Sequence, residues 1–415
     1  MSSGACGSVC ESGALMPVDE AIRYLLDQAP LPPPVQRVAL DQALGRVLAT
    51  DIRSPMNLPA WDNSAMDGYA LRAADLPAAG GYLTLAGRIA AGQASNNPLQ
   101  PGQAVRIFTG APLPPGADTV VPQESCRVAG ERVWLPPVND GDHVRKEGEE
   151  VRRGDLLLRA GKRLRAQELG LLAGAGIARM EVYRPLQVGL LSSGDELREP
   201  GEALAPGQIY NSNRHSLAAL LRGWGMEVHD YGAMPDKLLA SRQALSLAAA
   251  ECDVLLTSGG VSVGEEDHLK QAIEALGSVD LWRLAIQPGK PLAFGEVAGK
   301  PWIGLPGNPS AALITALIVV RPFLFRAQGM DEVLPISLQL PAGFDWPKPN
   351  RRRQYLRAKL VPGADGSLCV ELHPQQSSAM LAAACWADGL AVVECQAHVR
   401  MLDKVMYLPF ASLMH

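Results

Sequence analysis

The sequence predicts a multidomain α/β protein: an open, mostly parallel α/β sheet, with a β-rich insertion, a helical and extended linking unit and a small C-terminal β-barrel. Three observations lead there. A chain of 415 residues exceeds one ordinary core, so two to four domains are expected. Between residues 184 and 329, short apolar runs alternate with helix-length segments, which is the grammar of βαβ units. On either side, residues 56–145 and 330–415 break into short strands punctuated by Pro and Gly turns.

Taken in order, residues 1–14 are small and polar and predict a disordered leader. Residues 15–55 and 146–183 form a discontinuous linking domain. Its helix begins at Pro17, with Asp19 and Glu20 in the first turn and Ile22, Leu25 and Leu26 on one face, and the segment Leu31 to Pro34 breaks it. A strand and an Ala/Leu helix occupy Gly154 to Gly176. In the insertion, β-like runs at Tyr82–Ala86, Ala104–Thr109 and Thr119–Val121 are separated by turns such as Pro101-Gly102 and Asn139-Asp140-Gly141.

From about Arg184 the pattern changes. The sequence predicts strands at Val188–Leu191, Glu227–Tyr231, Asp253–Thr257, Trp282–Ala285, Leu292–Phe294 and Trp302–Leu305. Helices at Ser216–Trp224, Leu238–Ala250 and His268–Leu276 lie between them, and a long helix starts at Pro309. A parallel sheet covered on both faces follows.

Bulk composition narrows the function classes. Hydrophobic residues make up 47% and charged residues 20%, the balance of a globular protein. A net charge of −5 leaves no electrostatic footprint for nucleic acid, and no polybasic run addresses an anionic membrane. The longest strongly apolar stretch, Ala311–Val320, is too short to span a bilayer. The N-terminus lacks a basic-then-apolar signal pattern, and the seven cysteines are scattered, which suits a reducing compartment. Cys6 and Cys10 have no accompanying His or second pair to make a metal site. A cytoplasmic protein is the expectation.

Ligands of open α/β sheets bind beyond the carboxyl ends of the strands. Three loops hold that position: Ser192–Glu196, Ser258–Asp267 and Pro306–Ser310. Their glycines and serines, including Ser193, Gly194, Ser258, Gly259, Gly260, Ser262, Gly307 and Asn308, let backbone N–H groups approach an anion. Ordinary tight turns compete as an explanation for each loop singly, less so for three together. The loops also carry Asp195, Glu196, Glu265, Glu266 and Asp267. Carboxylates beside a phosphate make sense with Mg²⁺ between them, although Glu265 and Glu266 suit helix capping. In Gln287-Pro288-Gly289-Lys290-Pro291 a stiff turn presents one lysine, and Arg351–Arg357 is the basic cluster of note, either a solvated strand face or an oxyanion clamp. The string Asp62–Gly68 puts two acids, an amide and a hydroxyl into one loop, where an Asx-rich turn is the plain alternative. Composition and spacing thus reach an enzyme acting on an anionic, phosphorylated ligand with Mg²⁺, and stop short of the substrate.

Six strings carry a resemblance: DNSAMDGYA (Asp62–Ala70), RIFTGAPLP (Arg106–Pro114), SSGDEL (Ser192–Leu197), TSGGVSVGEEDH (Thr257–His268), PGKPLAFG (Pro288–Gly295) and LPGNPSA (Leu305–Ala311). In this order they resemble the molybdopterin molybdenumtransferase family, which includes bacterial MoeA and the C-terminal domain of gephyrin. The resemblance implies that adenylylated molybdopterin and molybdate give molybdenum cofactor and AMP. It also implies an elongated homodimer in which another subunit's β insertion completes the cleft, and transient contact with other enzymes of the cofactor route. Asp62, Thr109, Glu196, Asp236, Asp267 and Lys290 match family functional positions, with Arg353 and Ser378 in looser motifs. Asp62, Asp236 and Asp267 are the implied Mg²⁺ ligands. Gln287 stands where many members have a lysine, which implies either a weaker molybdate site or a cation supplied by Arg352 or Arg353. Ala382 and Ala383 replace expected serines. Two rival functions remain: the related adenylyltransferase, which shares the SGGxS unit but not the DNSAMDG segment or the flanking β units, and a non-catalytic scaffold.

Overall fold

The computed structural model describes residues 15–93, 95, 97–260, 268–363 and 366–414. The leader 1–14 with Cys6 and Cys10, and the segment 261–267 with Ser262, Glu265, Glu266 and Asp267, lie outside the described residues.

Six strands build the α/β sheet: β1 Gln187–Ser193, β2 Glu227–Met234, β3 Val254–Ser258, β4 Gly277–Arg283, β5 Pro291–Val297 and β6 Lys300–Leu305. Their order is β2-β1-β3-β6-β5-β4. The pairs β1–β2, β1–β3 and β3–β6 are parallel, as alternating strands and helices require. The far edge is not: β6–β5 and β5–β4 are antiparallel, a departure from a fully parallel sheet. The cause is local. Ala298 and Gly299, both at positive φ, form a two-residue link between β5 and β6, too short for a crossover.

Helices α1 Ser212–Gly223, α2 Leu238–Glu251 and α3 His268–Glu274 connect these strands. One face of the sheet is sealed by α1 and the helix that follows β6, through Leu217, Leu221, Leu317 and Phe323. The other face is sealed by α2 and α3, through Leu245, Ala248, Leu269 and Ile273. Covered on both sides, β1 and β3 are continuous apolar runs rather than alternating ones.

The helix after β6 corrects one expectation. Pro309–Ala327 runs 19 residues, long and apolar enough by composition to cross a membrane, and its apolar window is 94% buried inside the fold. A π-helical stretch, Ala316–Val320, bridges its two α-helical halves. Its apolarity is therefore accounted for by core packing.

In the linking unit, Val35–Ala39 pairs antiparallel with Arg179–Tyr183, and Leu156–Leu158 with Ile52–Arg53. The first helix spans Val18–Asp27, and its apolar face, Val18, Ala21 and Leu25, is buried in the α/β core. The insertion is a six-stranded sheet whose central strands are Gly68–Leu71, Gln103–Ile107 and Gly81–Ile89. The C-terminal unit lines up Arg353–Pro362, Gly389–Val393, Lys404–Pro409 and Leu338–Pro341, with Leu368–Leu372 on the other side of Arg353–Pro362. A bridge from Ala342 to Val370 draws the two ends together, giving the small barrel that the sequence predicts.

Candidate functional site

The carboxyl ends of the parallel strands are level. Ser192 of β1 stands opposite Ser258 of β3, and Ser258 opposite Leu305 of β6. Above them opens a cleft of about 1110 Å³ whose other wall is the C-terminal unit. Ser193, Glu196, Ser258, Gly259, Gly260, Lys290, Gly307, Asn308 and Ser378, all singled out from sequence, line it. Gly194 is not itself among the lining residues, though Ser193 before it and Glu196 after it are.

The glycines are there for space. Gly259 has φ +82°, and a Cβ on it would stand 2.5 Å from the Ser193 carbonyl oxygen. At Gly260, with φ +65°, a Cβ would meet the Leu269 side chain at 2.6 Å. Only glycine lets the β3 end turn this tightly against β1. Beneath, the Ser192 and Ser258 hydroxyls are 3.3 Å apart and fully buried, so they tie the two strand ends together.

The turn bearing Lys290 is fixed by the neighbouring unit. Ile286–Gln287 joins the C-terminal sheet as a parallel edge strand, with Ile286 opposite Arg353 and Gln287 opposite Gln354. The Gln287 Oε1 accepts from Asn350 Nδ2 at 2.7 Å and, at 3.4 Å each, from Arg352 Nη2 and Gln354 Nε2. A lysine here would put a cation against three donors, so the amide at this position goes together with its surroundings. Lys290 itself is exposed and has no ion pair among the described residues.

The two neighbouring arginines part company. Arg352 lines the cleft, its guanidinium held among the described residues by long bonds to the Gly289 carbonyl and Gln287. Arg353, matched through the resemblance, is not among the lining residues. Its fork takes both oxygens of Asp19 at 2.7 and 2.8 Å, and its Nε donates to Glu394 at 2.7 Å. The hydrogen bond from Arg353 holds the Asp19 carboxyl below its ordinary range, and the same pairing pushes the arginine's own pKa up. Arg353 opens the strand Arg353–Pro362, whereas Arg352 lies in the bend just before it, so the two side chains start from different backbone settings.

Asp62, Thr109 and Asp236 are also absent from the lining. Asp62 and Thr109 belong to the insertion, where the Asp62–Gly68 and Thr109–Pro112 loops meet through Gly110 N–H to Ser64 O and a bridge from Asn63 to Pro112. Asp62 spends its oxygens on Lys146 Nζ at 3.0 Å and the Glu147 N–H at 2.8 Å. Burial pushes its carboxyl up, but these two donors outweigh it and the net direction is down. The Thr109 N–H and hydroxyl both donate to Asp67, an acid the choice of site residues passed over. Asp236 follows β2 and donates its N–H to Asp195 Oδ1 at 3.0 Å. No group of three His, Cys, Asp or Glu side chains suited to a metal forms among the described residues. Of the trio Asp62, Asp236 and Asp267, the last lies outside the described residues, and Asp62 is paired with Lys146.

One source of anion affinity is weaker than the sequence suggests. At the Pro306–Ser310 loop, Pro309 has no N–H, and the Ser310 and Ala311 N–H groups donate to the Ser378 carbonyl at 3.0 and 3.3 Å. That helix start is spent on docking the C-terminal unit. The start of α1 takes the opposite course. Asn211 caps it by accepting from the Arg214 N–H, and Asn211, Ser212 and Asn213 all line the cleft. Sequence reading missed these residues by starting the helix at Ser216. An Asn-Ser-Asn cap ahead of an apolar run was the available signal. Gln376 and Ser377 were missed as well, because they lie in an irregular loop of the C-terminal unit. Ala382 and Ala383 fall in the helix Leu381–Trp386 and do not line the cleft.

Comparisons with known proteins cover most of the chain. Residues 16–176 match the MoeA N-terminal region (domain I and II), residues 189–326 a probable molybdopterin binding domain, and residues 339–400 the MoeA C-terminal region (domain IV). A molybdopterin molybdenumtransferase of Haemophilus influenzae is 41% identical over 322 residues, covering 77% of this chain and 79% of the relative. One from Nostoc is 40% identical, covering 71% and 69%. Among solved structures, a molybdopterin biosynthesis MoeA protein of Pyrococcus horikoshii aligns with TM-score 0.76 at 30% identity, over 96% of this chain and 99% of that one.

Proposed function

Since the chain belongs to the molybdopterin molybdenumtransferase family, we propose that it inserts molybdenum from molybdate into adenylylated molybdopterin and releases AMP. The observation that carries this reading is the cleft, where Gly/Ser strand ends of the α/β sheet face Lys290, Arg352 and Ser378 across one cavity. The Gly/Ser strand ends at Ser193–Gly194 and Ser258–Gly260 suit the phosphates of the pterin substrate by allowing close backbone approach, the Gly259 N–H itself being spent on the Leu305 carbonyl at 3.1 Å. Lys290, a compact cation, and Arg352, a planar fork with weakly engaged donors, suit molybdate on the opposite wall. Two cations in a cavity partly closed to water stabilise anionic charge as it shifts from the phosphoanhydride to AMP. No side chain in the cleft needs to form a covalent intermediate.

A homodimer belongs to the proposal. Asp62 and Thr109 are not among their own chain's cleft-lining residues, and a second copy would bring that loop pair to the cleft. Mg²⁺ dependence is likewise proposed, resting on the chemistry of Asp267. The described carboxylates do not form the ion's site, so no step is assigned to it. A cytoplasmic location and transient contact with other enzymes of the route complete the reading.

The test is single-turnover AMP release from adenylylated molybdopterin by the purified chain, with and without molybdate, followed by activation of a cofactor-free molybdoenzyme. Molybdate-dependent AMP release with active cofactor is expected. Formation of adenylylated molybdopterin from ATP would instead support the adenylyltransferase, and binding without turnover the scaffold.

A further inference from the structure

A second cavity, of about 810 Å³, opens where the linking unit, the helix from Pro309 and the C-terminal unit meet, and it shares no lining residue with the cleft. We propose that it is a binding site for a small phosphate monoester, whose dianion is received by Arg163 and Arg321. Arg321 opens the last α-helical stretch of the long helix and is 5% exposed. Its Nη1 donates to the Val333 carbonyl at 3.0 Å and its Nη2 to the Ser412 carbonyl at 2.9 Å, while its buried Nε has no hydrogen-bond partner among the described residues. Arg163 is half-buried, and its Nε and Nη2 donate to the Gly45 and Gly223 carbonyls at 3.3 Å each. Neither arginine has a carboxylate at ion-pair distance among the described residues.

The two guanidiniums burden each other. Burial, and after it the Arg163 charge, pushes Arg321 down to about 10, and burial lowers Arg163 as well. Both keep their charge at neutral pH, so the interior holds two cations whose compensation is four backbone carbonyls. The rest of the lining does not offset them. Arg159 and Lys162 add positive charge, Glu168 takes Arg165, and the exposed Asp331 and Glu332 form no ion pair among the described residues. This cationic pocket stands in a chain of net charge −5. A phosphate dianion matches two neighbouring guanidiniums in charge and in hydrogen-bond geometry. The apolar part of the lining calls for an organic body on that phosphate. Leu44 and Leu334 are 63% exposed and Ile336 69%, all at this one cavity, and Phe325 lies under the Arg321 guanidinium at 4.3 Å. The volume likewise falls in the range of small-molecule sites, about 300–1,000 Å³, and exceeds what a bare oxyanion fills.

The test titrates phenyl phosphate, inorganic phosphate and benzoate into the full chain at constant ionic strength, with affinity read by calorimetry and the site located by amide exchange. Phenyl phosphate should slow exchange over residues 160–166 and 330–336 and bind roughly tenfold or more tightly than either inorganic phosphate or benzoate. The protection gained on adding it should be the same in Lys290→Ala, which alters the cleft alone. Arg163→Met and Arg321→Met should each weaken its binding roughly tenfold or more. Arg321→Met also loses the bonds to Val333 and Ser412, so if that variant fails to fold, Arg163→Met decides by itself. The proposal is overturned if phenyl phosphate protects neither segment in the parent, if the protection survives Arg163→Met, or if inorganic phosphate or benzoate binds as tightly as phenyl phosphate.

Discussion

Truncating Arg352 and Arg353 one at a time should give opposite phenotypes, although the residues are adjacent. Arg352 is held by two neutral acceptors at 3.4 Å, so its removal costs the fold little. What it removes is a charge-assisted hydrogen bond to a bound anion, worth about 1.5–3 kcal/mol, or roughly a tenfold to hundredfold loss in molybdate affinity. Arg353 makes three bonds of 2.7–2.8 Å to Asp19 and Glu394, linking the first helix to the C-terminal strands. Its partners are 64% and 51% exposed, so solvent screening reduces this network to about 1 kcal/mol of stability. Arg353→Ala should therefore lower the melting temperature by a few degrees and leave KM for molybdate within about twofold. The assay is molybdate-dependent AMP release, read as KM and kcat, beside a thermal melt. A larger KM effect from Arg353→Ala than from Arg352→Ala would refute the assignment of the two faces.

Gly259→Ala should cost about 1–2 kcal/mol in left-handed backbone strain, before the clash of its Cβ with the Ser193 carbonyl at 2.5 Å, and should depress kcat/KM through the displaced cleft floor, as steady-state kinetics would show. Arg184 holds Asp253 through two bonds of 2.7 Å, and Gln187 N–H adds a third. Burial raises the Asp253 carboxyl, but these bonds outweigh it and the folded-state pKa is depressed. The stabilisation is accordingly present above the unfolded carboxylate value near ~4 and lost as pH falls through the folded value. Asp253→Asn should lose about 2 kcal/mol at pH 7, with the gap to the parent closing below about pH 4 in denaturant melts. Asp267→Asn should slow AMP release on the order of a hundred- to a thousandfold while leaving the melt unchanged, and a rate within about threefold of the parent would make Asp267 structural.

Periodicity and local turn chemistry determined most of the element order. The apolar runs of β1, β3 and β6, the Gly/Ser strand ends and the helix from Pro309 are all visible in the chain, because each depends on residues within a few positions of one another. Even the antiparallel edge was legible in principle, from the two-residue Ala298-Gly299 link. What only the tertiary structure decided is which side chains share the cleft. A basic run says that cations are present but not which face each takes, and here Asp19, more than 300 residues away in sequence, claims Arg353 and leaves Arg352 for the cavity. A Gly/Pro helix start promises free N–H groups until Ser378, from another unit, occupies them. Arg357 looks like one more surface cation of a strand until the barrel closes over it. Local sequence sets backbone preference through nearby sterics, whereas a charge takes its meaning from whatever packs against it, and those partners are fixed only when distant segments meet.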